Sequence, residues 1–141
     1  MKSASQTRAA SFWAAVLLVC APLGVAFAQS DLAEDLDSFR RRPTSASAAL
    51  VERLVESGDA GALELLIEHQ AEIASIGARL AALQGLARHG DDPQLGARAL
   101  DAVSAAAVAS VGPELRDAAL RALAGAGDAG RARLAELIEQ P

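Results

Sequence analysis

The sequence predicts an all-α protein, and three observations carry that reading. Alanine and leucine dominate from Ser45 onward and β-branched residues are sparse, a composition that favours helix. Apolar residues recur three and four places apart, and no stretch alternates with the period of a strand. A glycine–aspartate pair follows an apolar helical stretch three times, at Gly58-Asp59, Gly90-Asp91 and Gly127-Asp128. The residues four and seven places before each glycine are Leu54 and Val51, Leu86 and Leu83, Leu123 and Leu120. Glycine suits the position just past a helix, and aspartate suits the N-cap of the next.

The first 28 residues read as a separate segment. Lys2 and Arg8 precede an uncharged run from Ala9 to Ala28, which closes on Ala26-Phe27-Ala28. A positive start, an apolar middle and small residues before a cut describe a secretory signal peptide, with cleavage expected after Ala28. The other readings are an uncleaved membrane anchor over 9–28, since about 20 apolar residues span a bilayer, and a lipoprotein acylated at Cys20. Cleavage predicts an exported protein, periplasmic or secreted, and only an uncleaved segment would touch a membrane.

Residues 29–141 would then hold no Cys, Trp, Tyr, Met, Lys or Asn. Loss of Lys2 and Arg8 from 13 basic residues leaves 11 against 18 acidic ones, a charge of about −7. An exported chain without cysteine must be stable through its core alone. The acidic balance speaks against nucleic acid, which requires a basic face.

Residues 29–44 form a lead-in. Leu32, Leu36 and Phe39 share one helical face, acids open the stretch, Arg40-Arg41-Arg42 close it, and Pro43 ends it. It reads first as a solvated arm, and otherwise as a docking segment or a basic trio touching anionic lipid. Residues 45–141 form the main domain of about six helices. The first spans 45–57, with Leu50, Val51, Leu54 and Val55 inward; the second spans 60–73, with Leu63, Leu66, Ile67 and Ile73 inward. A break near Ala74-Ser75 leads to a third over 76–89, with Ile76, Leu80, Leu83 and Leu86 inward. Gly90-Asp91-Asp92-Pro93 makes the clearest turn, with Pro93 suited to the first helical position. The fourth helix spans 94–111 and carries small residues from Ser104 to Ser110. The fifth spans 113–125, with Leu115, Ala119, Leu120 and Leu123 inward, and the sixth spans 129–139, with Leu134, Leu137 and Ile138 inward.

The three glycines stand 32 and 37 residues apart, a period that marks helical repeat architectures. In that register Arg79, Ala81 and Ala82 align with Arg116, Ala118 and Ala119, whereas the first copy has Ser47 in place of the arginine. The stretch Leu115-Arg116-Asp117-Ala118-Ala119-Leu120-Arg121-Ala122-Leu123, followed by Gly127-Asp128, resembles the second helix of a short bacterial HEAT repeat. The resemblance covers roughly 45–140 and concerns architecture. It implies a short right-handed α-solenoid of about six antiparallel helices, with the first, third and fifth on an inner surface that binds a partner protein. The aspartate that such repeats carry about six residues before the arginine is replaced by Ile73 and Ser110. A compact helical bundle is the alternative arrangement.

Chemistry finds little purchase. His69 and Glu72 share a helical face and offer two metal ligands, with His89 as the remaining imidazole. Surface and helix-end positions account for both histidines. No serine lies in a glycine-flanked elbow, and Gly125-Ala126-Gly127 lacks the Lys and Ser/Thr of a phosphate-binding loop. Asp91-Asp92 sits at a turn, where capping explains it. Arg79 and Arg116 read as bridges to neighbouring helices, or as contacts to an acidic partner. The expectation is a non-enzymatic interaction module without a cofactor. The other readings are a helical carrier for an apolar ligand and a metal-dependent enzyme using His69, Glu72 and His89.

Overall fold

The computed structural model describes residues 31–109 and 112–140. The expected signal segment 1–28, with Cys20 and Trp13, lies outside the described residues, as does Ser110. The chain divides into two compact units, Met1–Glu34 and Asp35–Pro141. Of the first, residues 31–34 are described and are helical.

All regular structure in the described residues is helical. Residues 31–41 (α1) are followed by a 3-10 turn at Pro43–Ser45, then α2 (Ala48–Ser57), α3 (Ala60–His69) and a second 3-10 turn at Gln70–Glu72. The remaining helices are α4 (Ile76–Arg88), α5 (Gly96–Val108), α6 (Pro113–Gly125) and α7 (Gly127–Glu139). From α2 to α7 each helix packs on its neighbour in sequence and on the helix two places along.

Local chemistry sets the boundaries. Ser47 caps α2 through the amide of Leu50, Asp59 caps α3 through that of Ala62, and Ser75 caps α4 through that of Ala78. The break expected near Ala74-Ser75 therefore falls where a serine begins a helix. Gly112 precedes α6 and Pro113 takes its first position, where the missing amide proton costs nothing.

The three Gly-Asp pairs differ in physical cause. Gly58 and Gly127 adopt left-handed backbone, φ 62° and 71°, which an L side chain resists. Gly90 does not; a Cβ there would stand 3.0 Å from Leu100 Cδ2, so close packing selects it. Of the aspartates only Asp59 caps a helix. At the second turn Asp92 closes the turn ahead of α5, its carboxylate accepting from the amides of Gln94 and Leu95 at 2.8 Å each, while Asp91 is exposed; α5 itself begins at Gly96, later than expected, without a side-chain cap. These two amide donors hold the Asp92 carboxyl below its ordinary value. Asp128 lies within the first turn of α7 and pairs with Arg131.

The core contains the residues expected for α2, all four of them buried, with Leu63, Leu66, Ile73, Leu83, Leu86, Leu115, Ala119 and Leu123. Small residues let helices approach: a Cβ on Gly85 of α4 would lie 2.3 Å from Val55 Cγ2 of α2. Two expected core residues are exposed instead, Ile76 at 51% and Ile138 at 77%. Ile76 has the right face but is the first residue of α4, at the end of the helix. Ile138 lies on α7, which has a helix two places behind it but none ahead among the described residues. Ile67, Leu80, Leu120, Leu134 and Leu137 are half-buried.

The lead-in is part of the domain from Asp35 onward. Phe39 is fully buried and meets the His69 ring edge-on at 6.5 Å between centroids. Asp35 accepts two hydrogen bonds from the Arg53 guanidinium, at 2.8 and 2.9 Å. The amide of Ala74 donates to the carbonyl of Thr44 at 3.0 Å, tying the lead-in to the loop before α4. A solvated arm does not describe these residues.

Candidate functional site

The surface formed by α2, α4 and α6 carries two adjoining grooves. Between α4 and α6 a cavity of about 520 Å³ is lined by Leu80, Gln84, Glu114, Asp117, Ala118 and Arg121. Between α2 and α4 a cavity of about 230 Å³ is lined by Glu52, Val55, Glu56, Ala81, Gln84 and Arg88. Gln84 belongs to both. Helical spacing produces these linings: residues 80 and 84, 81 and 88, 52 and 56, and 114, 117 and 121 each share one face of their helix. Alanines and a half-buried leucine make the floor, so a partner side chain has room to enter.

The electrostatics divide the molecule. On α3 and α5 every ionisable side chain is paired. Arg98 of α5 reaches Glu64 of α3 at 2.9 Å and Glu68 at 3.9 Å, and His69 contacts Glu72 at 2.8 Å. Arg133 of α7 reaches Asp101 of α5 at 2.8 Å and Glu136 at 3.0 Å, and these carboxylates raise its pKa, Glu136 most. On the groove surface the pattern reverses. Glu52, Glu56, Arg88, Glu114, Asp117 and Arg121 are all exposed, and none has an ion pair or side-chain hydrogen bond among the described residues. Among the described residues the one paired ion on these three helices is Arg53, which turns to Asp35.

The residues singled out in the sequence are dispersed. Gly58, Asp59, Gly90, Asp91, Gly127 and Asp128 occupy three separate turns and form no cluster. Arg79 and Arg116 share a register but not an environment: the Arg79 Nε is buried without a hydrogen-bond partner, and Arg116 is exposed. The difference follows from position, because α4 has helices on both sides and α6 has α4 alone in its series. Arg116 lines a third groove of about 410 Å³ with Val108, Leu120, Leu137 and Ile138. Ser104 keeps a buried hydroxyl oxygen without a partner. His89 leaves His69 and Glu72 aside and directs Nε2 at the carbonyl of Val55, 3.3 Å away, which it can meet only as a donor. Among the described residues no group of three His, Cys, Asp or Glu is placed to hold a metal ion, and no helix is long and apolar enough to cross a membrane.

Neither groove was evident from the sequence, although a signal for one is present. Glu114, Asp117 and Arg121 fall at helical spacing beside the apolar stripe Leu115, Ala119, Leu123. Which other helix faces that polar edge depends on tertiary packing. The chain matches no family model, no curated protein and no solved structure.

Proposed function

We propose that the chain is an exported, non-enzymatic protein-interaction module, a short HEAT-like right-handed α-solenoid that docks a partner protein on the surface of α2, α4 and α6. The observation that carries this reading is the division of charge. Ionisable side chains on α3 and α5 are held within the molecule, while six on the grooved surface are left for another molecule. Packing of each helix on those one and two places away supports the solenoid arrangement over a closed bundle, in which distant helices would also meet. Export rests on the signal-like segment 1–28, and the partner would then share the periplasm or the exterior.

Site-specific photo-crosslinking tests the docking surface. A photoreactive residue at Gln84, within both grooves, should give a discrete adduct with one envelope or secreted protein. The same residue at the exposed Ala97 of α5 should give none. Adducts from both positions, or from neither, count against the reading. Processing has a separate test: exported protein cut after Ala28 lacks Trp13 and absorbs almost nothing at 280 nm, and strong tryptophan absorbance would show that the segment is retained.

A further inference from the structure

We infer that the partner presents a basic amphipathic segment to these grooves, with arginine or lysine side chains flanking apolar ones; the inference rests on the docking surface proposed above. Each groove has an acidic pair one helical turn apart on its outer helix, Glu52 and Glu56 on α2, Glu114 and Asp117 on α6. Like charges at that spacing repel, and each groove sets two acids against one arginine, Arg121 or Arg88, which leaves an acidic excess in both. Arg121 follows Asp117 by four residues and Arg88 lines the groove of Glu52 and Glu56, yet neither arginine forms an ion pair among the described residues.

The pairs stand on either side of α4, which supplies Leu80, Ala81 and Gln84 between them and Arg88 at its end. The result is a trough with an acidic edge on both sides and a middle strip that is apolar at Leu80 and Ala81 and polar from Gln84 to Arg88. A segment lying along α4 would place apolar side chains against Leu80 and Ala81 and basic ones over the two acidic edges. The net charge of residues 29–141 adds a long-range field of the same sign, which attracts cations and repels nucleic acid and anionic lipid.

Three fluorescein-labelled synthetic peptides that share one leucine pattern and differ only in flanking lysine, glutamine or glutamate provide the probe, with binding to the full exported chain read by anisotropy. The lysine peptide should bind about tenfold tighter than the glutamate peptide, and the difference should shrink as salt is raised. The double variant Glu114→Gln/Asp117→Asn should weaken the lysine peptide about three- to tenfold, whereas Glu64→Gln on α3 should leave it unchanged. Equal binding of all three peptides, preference for the glutamate peptide, or no loss in the double variant overturns the inference. Filling the groove with Ala118→Trp, or with Gln84→Trp at an exposed position should the first variant fail to fold, separates the two levels. If filling abolishes binding that shows no charge preference, the docking surface stands and the basic segment falls. Binding that survives both fillings, or no binding of any peptide, removes the docking surface and the inference with it.

Discussion

The two ends of the helical array are closed in different ways. At the α2 end, Phe39 is fully buried against His69, Ala46 is buried, and Asp35 grips Arg53 through two hydrogen bonds. At the α7 end the last helix buries only Gly130, and Ile138 and Val108 are left 77% and 66% exposed over an open groove. The sequence points the other way at both ends, toward a solvated arm at the start and a sealed helix at the finish. Helical periodicity reports which side of a helix is apolar. Whether a neighbour exists to cover that side is a property of the whole array.

The largest test of this contrast is Phe39→Ala. Removing a buried phenylalanine costs about 3–5 kcal/mol where the site cannot collapse, and equilibrium urea unfolding should register a loss of that size. Amide exchange should show α2 and α3 exposed more than α6. A loss below about 1 kcal/mol, the range of surface changes, would mean that the α2 end is no better closed than the α7 end. Next in size are the left-handed glycines. Alanine at Gly58 or Gly127 meets no neighbouring atom within 4 Å, so the penalty is backbone strain alone, about 1–2 kcal/mol. The full strain should appear in global stability at Gly58, between well-covered helices. At Gly127 α7 relieves part of it by fraying, so its midpoint shift should be the smaller.

Much of the fold was legible because short-range chemistry wrote it. Asp59 is a cap residue in both sequence and structure, Pro113 opens α6, and the apolar face of α2 is buried as its spacing demands, whereas the Ser47 and Ser75 caps emerge only in the structure. Reading failed where two candidates stood side by side or where long-range packing decided. Asp91 and Asp92 are both competent to bond the turn amides, and only the backbone path after Gly90 selects Asp92, which closes the turn without capping α5. Phe39 is one aromatic among charges, and its burial needs His69, thirty residues away in the chain. The grooves needed α2, α4 and α6 to be brought side by side, and no residue pattern within a single helix specifies that.

Asp35 offers a smaller and pH-dependent test of the closed end. Hydrogen bonding to Arg53 holds its carboxyl below the ordinary value of 3.8. A depressed folded-state pKa stabilises above the unfolded value and ceases to do so as pH falls through the folded value. Asp35→Asn should therefore cost about 0.2–1 kcal/mol at pH 7, the range for partly exposed ion pairs, and the difference from wild type should narrow well below pH 3.8. A gap that stays constant across this range would show that the pair does not clamp the lead-in. The exposed Asp128–Arg131 pair at the open end serves as the control, since both residues belong to α7 and no clamp depends on it.

The smallest effect is expected at Ile138, and it is informative for that reason. Buried isoleucines lose several kcal/mol when made polar, through lost transfer energy and an unsatisfied hydroxyl. Ile138 is already in water over most of its surface, so Ile138→Ser should change stability by no more than about 0.5 kcal/mol. The measurement should be repeated across a hundredfold range of protein concentration. An open end gives the same midpoint throughout, because nothing associates there. A loss that grows with protein concentration would mean that a second copy covers Ile138 in solution, since association stabilises the folded form by mass action. The α7 end would then be closed after all, and the contrast with the α2 end would lie only in which chain supplies the cover.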